Sequence, residues 1–324
     1  MVSSNIARLA FRRRVARFRH GRRPRTAGRG WRQKSVPRGV VAFPVPGPGP
    51  EVTQWAQFHA RTITGRPGRA KNLALAGRCV WCHVALVPAT LPSLTVRRAA
   101  ARGHFDHGWL DTRHTFSFAD YYDPAHLGFR CLRVINDDRV APGRGFPTHP
   151  HRDMEIFSYV LAGIIEHRDS LGNGRQLQPG QIQLMSAGTG VTHSEFNPSP
   201  VEPLHLLQIW IRPRTRGLTP RYTEWHPRPE HERAAKVLVI SPDGRDGSAT
   251  IQQDALVYRL RLAAGQTAEH LLNAGRGAWL QLARGELWMN GERLAAGDGA
   301  RTETPGPLTF RAEVAAEALL FDLA

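Results

Sequence analysis

Four side chains in two short segments have the types and spacing of a metal site. His149 and His151 stand in Thr148-His149-Pro150-His151, and His193 and Glu195 in Thr192-His193-Ser194-Glu195, so that one residue separates the members of each pair. On a β-strand successive side chains point to opposite faces, which sends both members of such a pair to the same face. Two pairs facing each other would present three imidazole nitrogens and one carboxylate oxygen. That mixture suits Fe(II), Ni, Cu, Mn or Zn, and the ligand types alone do not choose among them. A six-coordinate ion held this way keeps open positions, which is what separates a catalytic metal from a structural one.

The chemistry therefore requires strands, and the surrounding sequence supplies them. Leu132 to Asn136 reads as a short strand ended by Asn-Asp, Ile156 to Leu161 as a strand stopped at Ala162-Gly163, and Ile164 to His167 as the next. Gln181 to Met185 alternates as a half-buried strand does, and His205 to Ile211 reads as a buried one. Turns are expected at Tyr121-Tyr122-Asp123-Pro124, Leu171-Gly172-Asn173-Gly174 and Pro179-Gly180. Short strands separated by glycine corners are the texture of an all-β barrel.

Gly143, His149-x-His151, Glu155 and Gly163 resemble the first motif of the cupin superfamily, and His193 with Asn197 resembles the second. The stretches GHFDHGWLDTRHTFSFADYYDP, LRVINDD, HPHRDMEI and MSAGTGVTHSE resemble the pirin family, from about Leu94 to the C-terminus. The resemblance implies an all-β fold of two tandem cupin (double-stranded β-helix, or jelly-roll) barrels, at 94–212 and 236–324, with a linker at 213–235. It implies one divalent transition metal, Fe(II) first among the candidates, on His149, His151, His193 and Glu195. Glu195 doubles as the catalytic proton acceptor. The implied activity is of the quercetin 2,3-dioxygenase type, acting on a small aromatic, flavonol-like substrate and O₂ in a cytoplasmic monomer. The alternative it implies is a non-enzymatic, metal- or redox-dependent regulator whose partner is a transcription factor or metabolic enzyme.

An internal comparison points to the same bicupin plan. Ala264–Gly285 laid under Pro142–Gly163 without a gap puts Gly265 under Gly143 and Gly285 under Gly163, but Leu271 under His149 and Asn273 under His151. Further on, Leu294 and Gly297 fall under Leu177 and Gly180, which brings Phe310 under His193 and Ala312 under Glu195. The second barrel is thus expected to keep the corners and hold no metal. His270 is one residue out of register with His149, and such a slip reverses the face of a strand residue. Asn290-Gly291 is a tight hairpin signal.

The remaining candidates have plainer roles. His104, His107 and His114 lie among glycines and aromatics as structural hydrogen-bonders, able also to line a pocket mouth. Glu155 is expected to support the site by fixing an imidazole N–H, or to be an alternative ligand. Asp153, Asn197 and Trp210 read as packing or outer-layer residues, and Cys131 as an inert buried thiol within a strand.

The net charge of +17 suggests a nucleic-acid binder until the charge is located. Residues 1–94 contain 18 of the 44 basic residues and one of the 27 acidic ones, Glu51, leaving 26 of each sign in the rest. The globular part is electrically balanced, so any nucleic-acid affinity belongs to the basic tail. Residues 1–93, rich in Arg, Pro and Gly, are expected to lack a stable fold, or to result from a translation start placed too far upstream. The Arg-rich, acid-poor beginning would also suit a mitochondrial transit peptide. Cys79-Val80-Trp81-Cys82-His83 matches a haem-attachment pattern but lacks a second ligand pair nearby, and chance accounts for it. Three cysteines make no disulfide framework, which fits a reducing compartment, and no apolar run approaches the length of a membrane span.

Overall fold

The computed structural model describes residues 91–324, almost entirely as β-strands. The expectations for residues 1–90, including the Cys79–His83 pattern, lie outside the described residues. No helix among the described residues is long and apolar enough to cross a membrane.

The first barrel closes a four-stranded sheet over a seven-stranded one. The smaller sheet runs in the order Gly145–His151, Val191–Phe196, Ile165–Asp169, Gly174–Leu177. The larger runs Arg221–Trp225, Ile182–Ser186, Glu155–Ala162, Leu204–Ile211, Leu132–Val140, Leu110–His114, Gly103–Asp106. The second barrel is built on a nine-stranded sheet dominated by the long strands Gly277–Met289 and Gly306–Leu323.

Three features depart from the sequence reading. The strand beginning at Leu132 does not stop at Asn-Asp but continues to Val140, because it sits between two partners and Asp137 is held locally by Arg102, Arg139 and His205. Thr95–Arg97, inside the stretch expected for the first barrel, pairs with Gly299–Thr302 of the second. Arg221–Trp225, inside the expected linker, adds to the edge of the first barrel's larger sheet against Ile182–Ser186.

Strand alternation divides the larger sheet's side chains between two environments. One parity faces the second barrel: Phe157, Tyr159, Leu184, Leu207, Ile209 and Ile211 share a continuous core with Val257, Trp279, Leu319, Phe321 and Leu323. Each such side chain contributes about 1.5–3 kcal/mol when fully buried, so the barrels are joined as firmly as one domain. The other parity faces the first barrel's interior and carries the chemistry.

The internal repeat is visible in the corners. Gly143 and Gly265 have φ of 63° and 76°, Gly163 and Gly285 of 76° and 77°, Gly180 and Gly297 of 83° and 89°. A Cβ on Gly163 would stand 2.6 Å from the Pro203 carbonyl oxygen, and one on Gly285 2.0 Å from that of Ala315, so the same corner in each barrel admits only glycine.

The ungapped ligand comparison fails in one respect. His149 pairs with His193, whereas Phe310 pairs with Ala268 and Leu271 with Pro307, a different register. Leu271 is 65% exposed and His270 only 7%, so the inward residue of that strand is His270. Its ring bonds Asp322 at 2.8 Å and packs on Tyr258. The Asn290-Gly291 hairpin forms between Gly277–Met289 and Glu292–Ala295, both turn residues at positive φ.

Candidate metal centre

The four-stranded sheet positions the site. Val191–Phe196 runs between Gly145–His151 and Ile165–Asp169, placing His193 directly opposite His149 on one side and Asp169 on the other, with Glu195 opposite His167. Directly opposed residues in antiparallel strands hold their side chains within contact distance. The ring centroids of His149, His151 and His193 are mutually 4.5–4.8 Å apart.

The four residues singled out from the sequence do not gather at one point. Two overlapping triads form instead, His149/His151/His193 and His167/His193/Glu195, each with its ligand atoms within 4.8 Å of one another. His149 Nδ1 is 2.7 Å from the Pro147 carbonyl oxygen, which can only accept, so that nitrogen carries the proton and Nε2 is bare. That Nε2 lies 3.1 Å from Nε2 of His193. Two nitrogens at right angles about one ion, each about 2.1 Å from it, would be about 3 Å apart, so the outer triad has the spacing of a coordinated pair. Burial, reinforced by the neighbouring histidines, lowers His151 to about 3 and His193 to about 2, so both rings are neutral and ready to coordinate at neutral pH.

Glu195 reaches toward the opposite sheet. Its Oε1 accepts from Gln183 Nε2 at 2.6 Å and lies 2.8 Å from Ser158 Oγ; its Oε2 accepts from Gln208 Nε2 at 2.6 Å. Gln183, Ser158 and Gln208 are neighbours across three adjacent strands, a polar row over an apolar floor that includes Val160, Ile165, Leu177 and Leu206. Above this row Trp210 packs edge-on against His151 at 4.9 Å. The Trp210 indole N–H and the Gln183 carbonyl oxygen are buried without a partner, so each has a hydrogen bond to offer inside the barrel.

Sequence reasoning missed His167, Asp169, Ser158, Gln183 and Gln208. His167-Arg168-Asp169 repeats the one-residue spacing of the other pairs, and the remaining three are polar residues at inward parity in otherwise apolar strands; both signals were present. Glu155 does not fix an imidazole: its Oε2 accepts from Ser186 Oγ at 2.6 Å and from the Gln252 backbone N–H at 3.1 Å, a tie to the second barrel. Asp153 accepts from the Gly217 N–H, and Asn197 donates to the carbonyls of Val140 and Glu202. His104 and His107 are exposed, and His114 is buried among Phe105, Phe118 and Tyr121; none joins the cluster. Cys131 lies just before its strand, half-buried, with burial raising its thiol to about 11.

Fold and site together define a bicupin with an imidazole cluster in its first barrel. Residues 95–211 match the Pirin family model, and 238–323 match the model described as the quercetinase C-terminal cupin domain. The chain belongs to the pirin family. It is 49% identical over 228 residues to the quercetin 2,3-dioxygenase of Escherichia coli K12, covering 70% of this chain and 97% of that protein. It is 42% identical over 224 residues to a pirin-like protein of Caulobacter vibrioides, covering 68% and 96%. The crystal structure of the bacterial pirin YhhW of Escherichia coli in complex with nickel(II) matches with a TM-score of 0.68 at 48% identity, covering 71% of this chain and 99% of that one.

Proposed function

We propose that this chain is a metal-dependent flavonol 2,3-dioxygenase, in which His149, His151 and His193 hold one divalent transition ion and Glu195 completes the set from the polar row. The observation that carries the metal is the 3.1 Å approach of the His149 and His193 Nε2 atoms beside His151, with burial keeping His151 and His193 neutral. The dioxygenase reading is supported by the 49% identical Escherichia coli relative that bears that name. Fe(II) is the working assignment for the native ion, and a divalent ion is supported by the 48% identical bacterial pirin YhhW, whose structure was solved in complex with nickel(II).

When bound, the ion supplies Lewis acidity toward a substrate hydroxyl and an electron-transfer partner for O₂. The rest is done by the protein. Gln183, Gln208 and Ser158 hold the Glu195 carboxylate in one position, with its ligand atom within 4.8 Å of that of His193, where it can take the proton of a flavonol hydroxyl. Trp210 offers a flat apolar wall beside His151 and an unpaired N–H for a substrate oxygen.

The test is anaerobic reconstitution with Fe(II) followed by a flavonol in air, monitoring loss of the flavonol absorbance and release of carbon monoxide. Metal-dependent consumption by the wild type that is lost in His149→Ala is the expected result. Equal consumption by the two proteins, or none by either, would remove the dioxygenase assignment.

A further inference from the structure

The inner triad invites reading as a second metal site, but its hydrogen bonds oppose that. His167 is committed on both sides. Its Nε2 lies 3.0 Å from Asp169 Oδ2, and its Nδ1 faces Nδ1 of His193 at 3.5 Å, with the His167 and Asp169 side chains fully buried.

We propose that His167 and Asp169 are positioning residues that set the protonation pattern of His193 and thereby keep the metal site open; this rests on the reading of His149, His151 and His193 as metal ligands. Asp169, as a carboxylate, only accepts, so His167 places its proton on Nε2. With its single ring proton on Nε2, His167 presents a bare Nδ1 to the Nδ1 of His193 at 3.5 Å, which donates to it. His193 is left with a bare Nε2 facing the equally bare Nε2 of His149 at 3.1 Å. Two lone pairs so opposed repel each other and favour a cation between them.

Without this chain of bonds His193 is free to carry its proton on Nε2 and donate it to His149, closing the site on itself. Asp169 is itself locked: Oδ1 accepts from the backbone N–H groups of Leu171 and Asn173 at 2.9 and 3.0 Å, and the Asn173 amide reaches both oxygens. The Leu171–Gly174 turn thus orients His193 across the width of the sheet. His167 is further held by the Tyr222 ring at 5.1 Å. A carboxylate behind a ligand histidine is a recurrent device for raising metal affinity; here a second imidazole is interposed.

The sharpest test is Asp169→Asn. The variant keeps the bonds from the Leu171 and Asn173 backbone N–H groups to the retained Oδ1 and loses only the Asn173 amide bond to Oδ2, while the new amide donates toward His167 Nε2, moving the His167 proton to Nδ1 and the His193 proton to Nε2. Two measurements on the full chain read this: nitrogen-15 histidine NMR of the metal-free protein, and Ni(II) affinity by calorimetry with a competing chelator. Expected are an Nδ1-protonated His193 in the wild type, an Nε2-protonated one in Asp169→Asn, and a loss of Ni(II) affinity of about 10- to 100-fold in the variant. His167→Phe removes the acceptor and should lose about tenfold, whereas His167→Gln restores it through the amide oxygen and should stay near the wild type. This pair decides the matter if Asp169→Asn does not fold. An Nε2 proton on wild-type His193, or wild-type Ni(II) affinity in His167→Phe, would overturn the proposal. Failure of the wild type to take up Ni(II) would defeat the metal reading instead, and the NMR of the metal-free chain still decides the relay.

Discussion

The two barrels share their corners and differ in what fills them. In the first, the inward parity carries His149, His151, His193, Glu195 and His167 against a row of Gln183, Ser158 and Gln208. In the second, Leu282, Leu287, Met289, Leu308, Phe310 and Ala312 pack an apolar interior, and its inward histidine, His270, is spent on Asp322. Buried polar groups need partners, and a metal site also needs donors left unpaired, so the first barrel is the less self-sufficient of the two. The second barrel, through the shared core of Trp279, Leu319 and Phe321, gives the first one wall of its support. Chemistry and stability have been divided between two copies of one architecture.

That division can be broken most severely from the first barrel. His149→Ala is expected to reduce metal from about one ion per chain to near zero by elemental analysis, while His270→Ala leaves it unchanged; loss of metal in His270→Ala would erase the distinction. The reciprocal experiment is Phe310→Ala, which should destabilise the protein by about 3–5 kcal/mol in denaturant unfolding yet leave metal affinity within about twofold.

Acid sensitivity sharpens the same contrast. Burial, with help from His107 and Arg102, lowers His114 from 6.5 to about 4, so the folded first barrel holds this ring neutral while the unfolded chain takes up a proton. Stability from this residue is complete above pH 6.5 and is lost as pH falls toward 4, by about 3 kcal/mol at most. In the second barrel, burial would raise Asp322, but bonds from His270 and Arg276 outweigh it and lower its pKa below the ordinary 3.8. Its contribution is present above pH 3.8 and disappears only below that. Thermal melts at pH 7 and 4.5 should therefore show a smaller acid loss in His114→Phe than in the wild type, and an unchanged loss in Asp322→Asn. The smallest effect expected is from Gln208→Leu, which leaves Glu195 Oε2 without its donor and should cost about 1–3 kcal/mol, with metal affinity reduced less than in His149→Ala.

What could be read from the chain alone was whatever depends on local spacing. One-residue spacing put His149 with His151 and His193 with Glu195 on common faces, glycines marked the corners of both barrels, and the placement of charge separated the basic tail from a neutral globular part. Pairing register was not legible, because it depends on contacts between segments far apart in sequence. Only the folded sheet sets Glu195 opposite His167 and His193 opposite Asp169, gathers Gln183, Ser158 and Gln208 from three strands beneath the carboxylate, and turns His270 inward where the ungapped comparison had placed Leu271. Alternation along a strand names the residues that share a face; register between strands decides which of them touch, and in this protein the contacts of His193 with His149 and His167 run between strands.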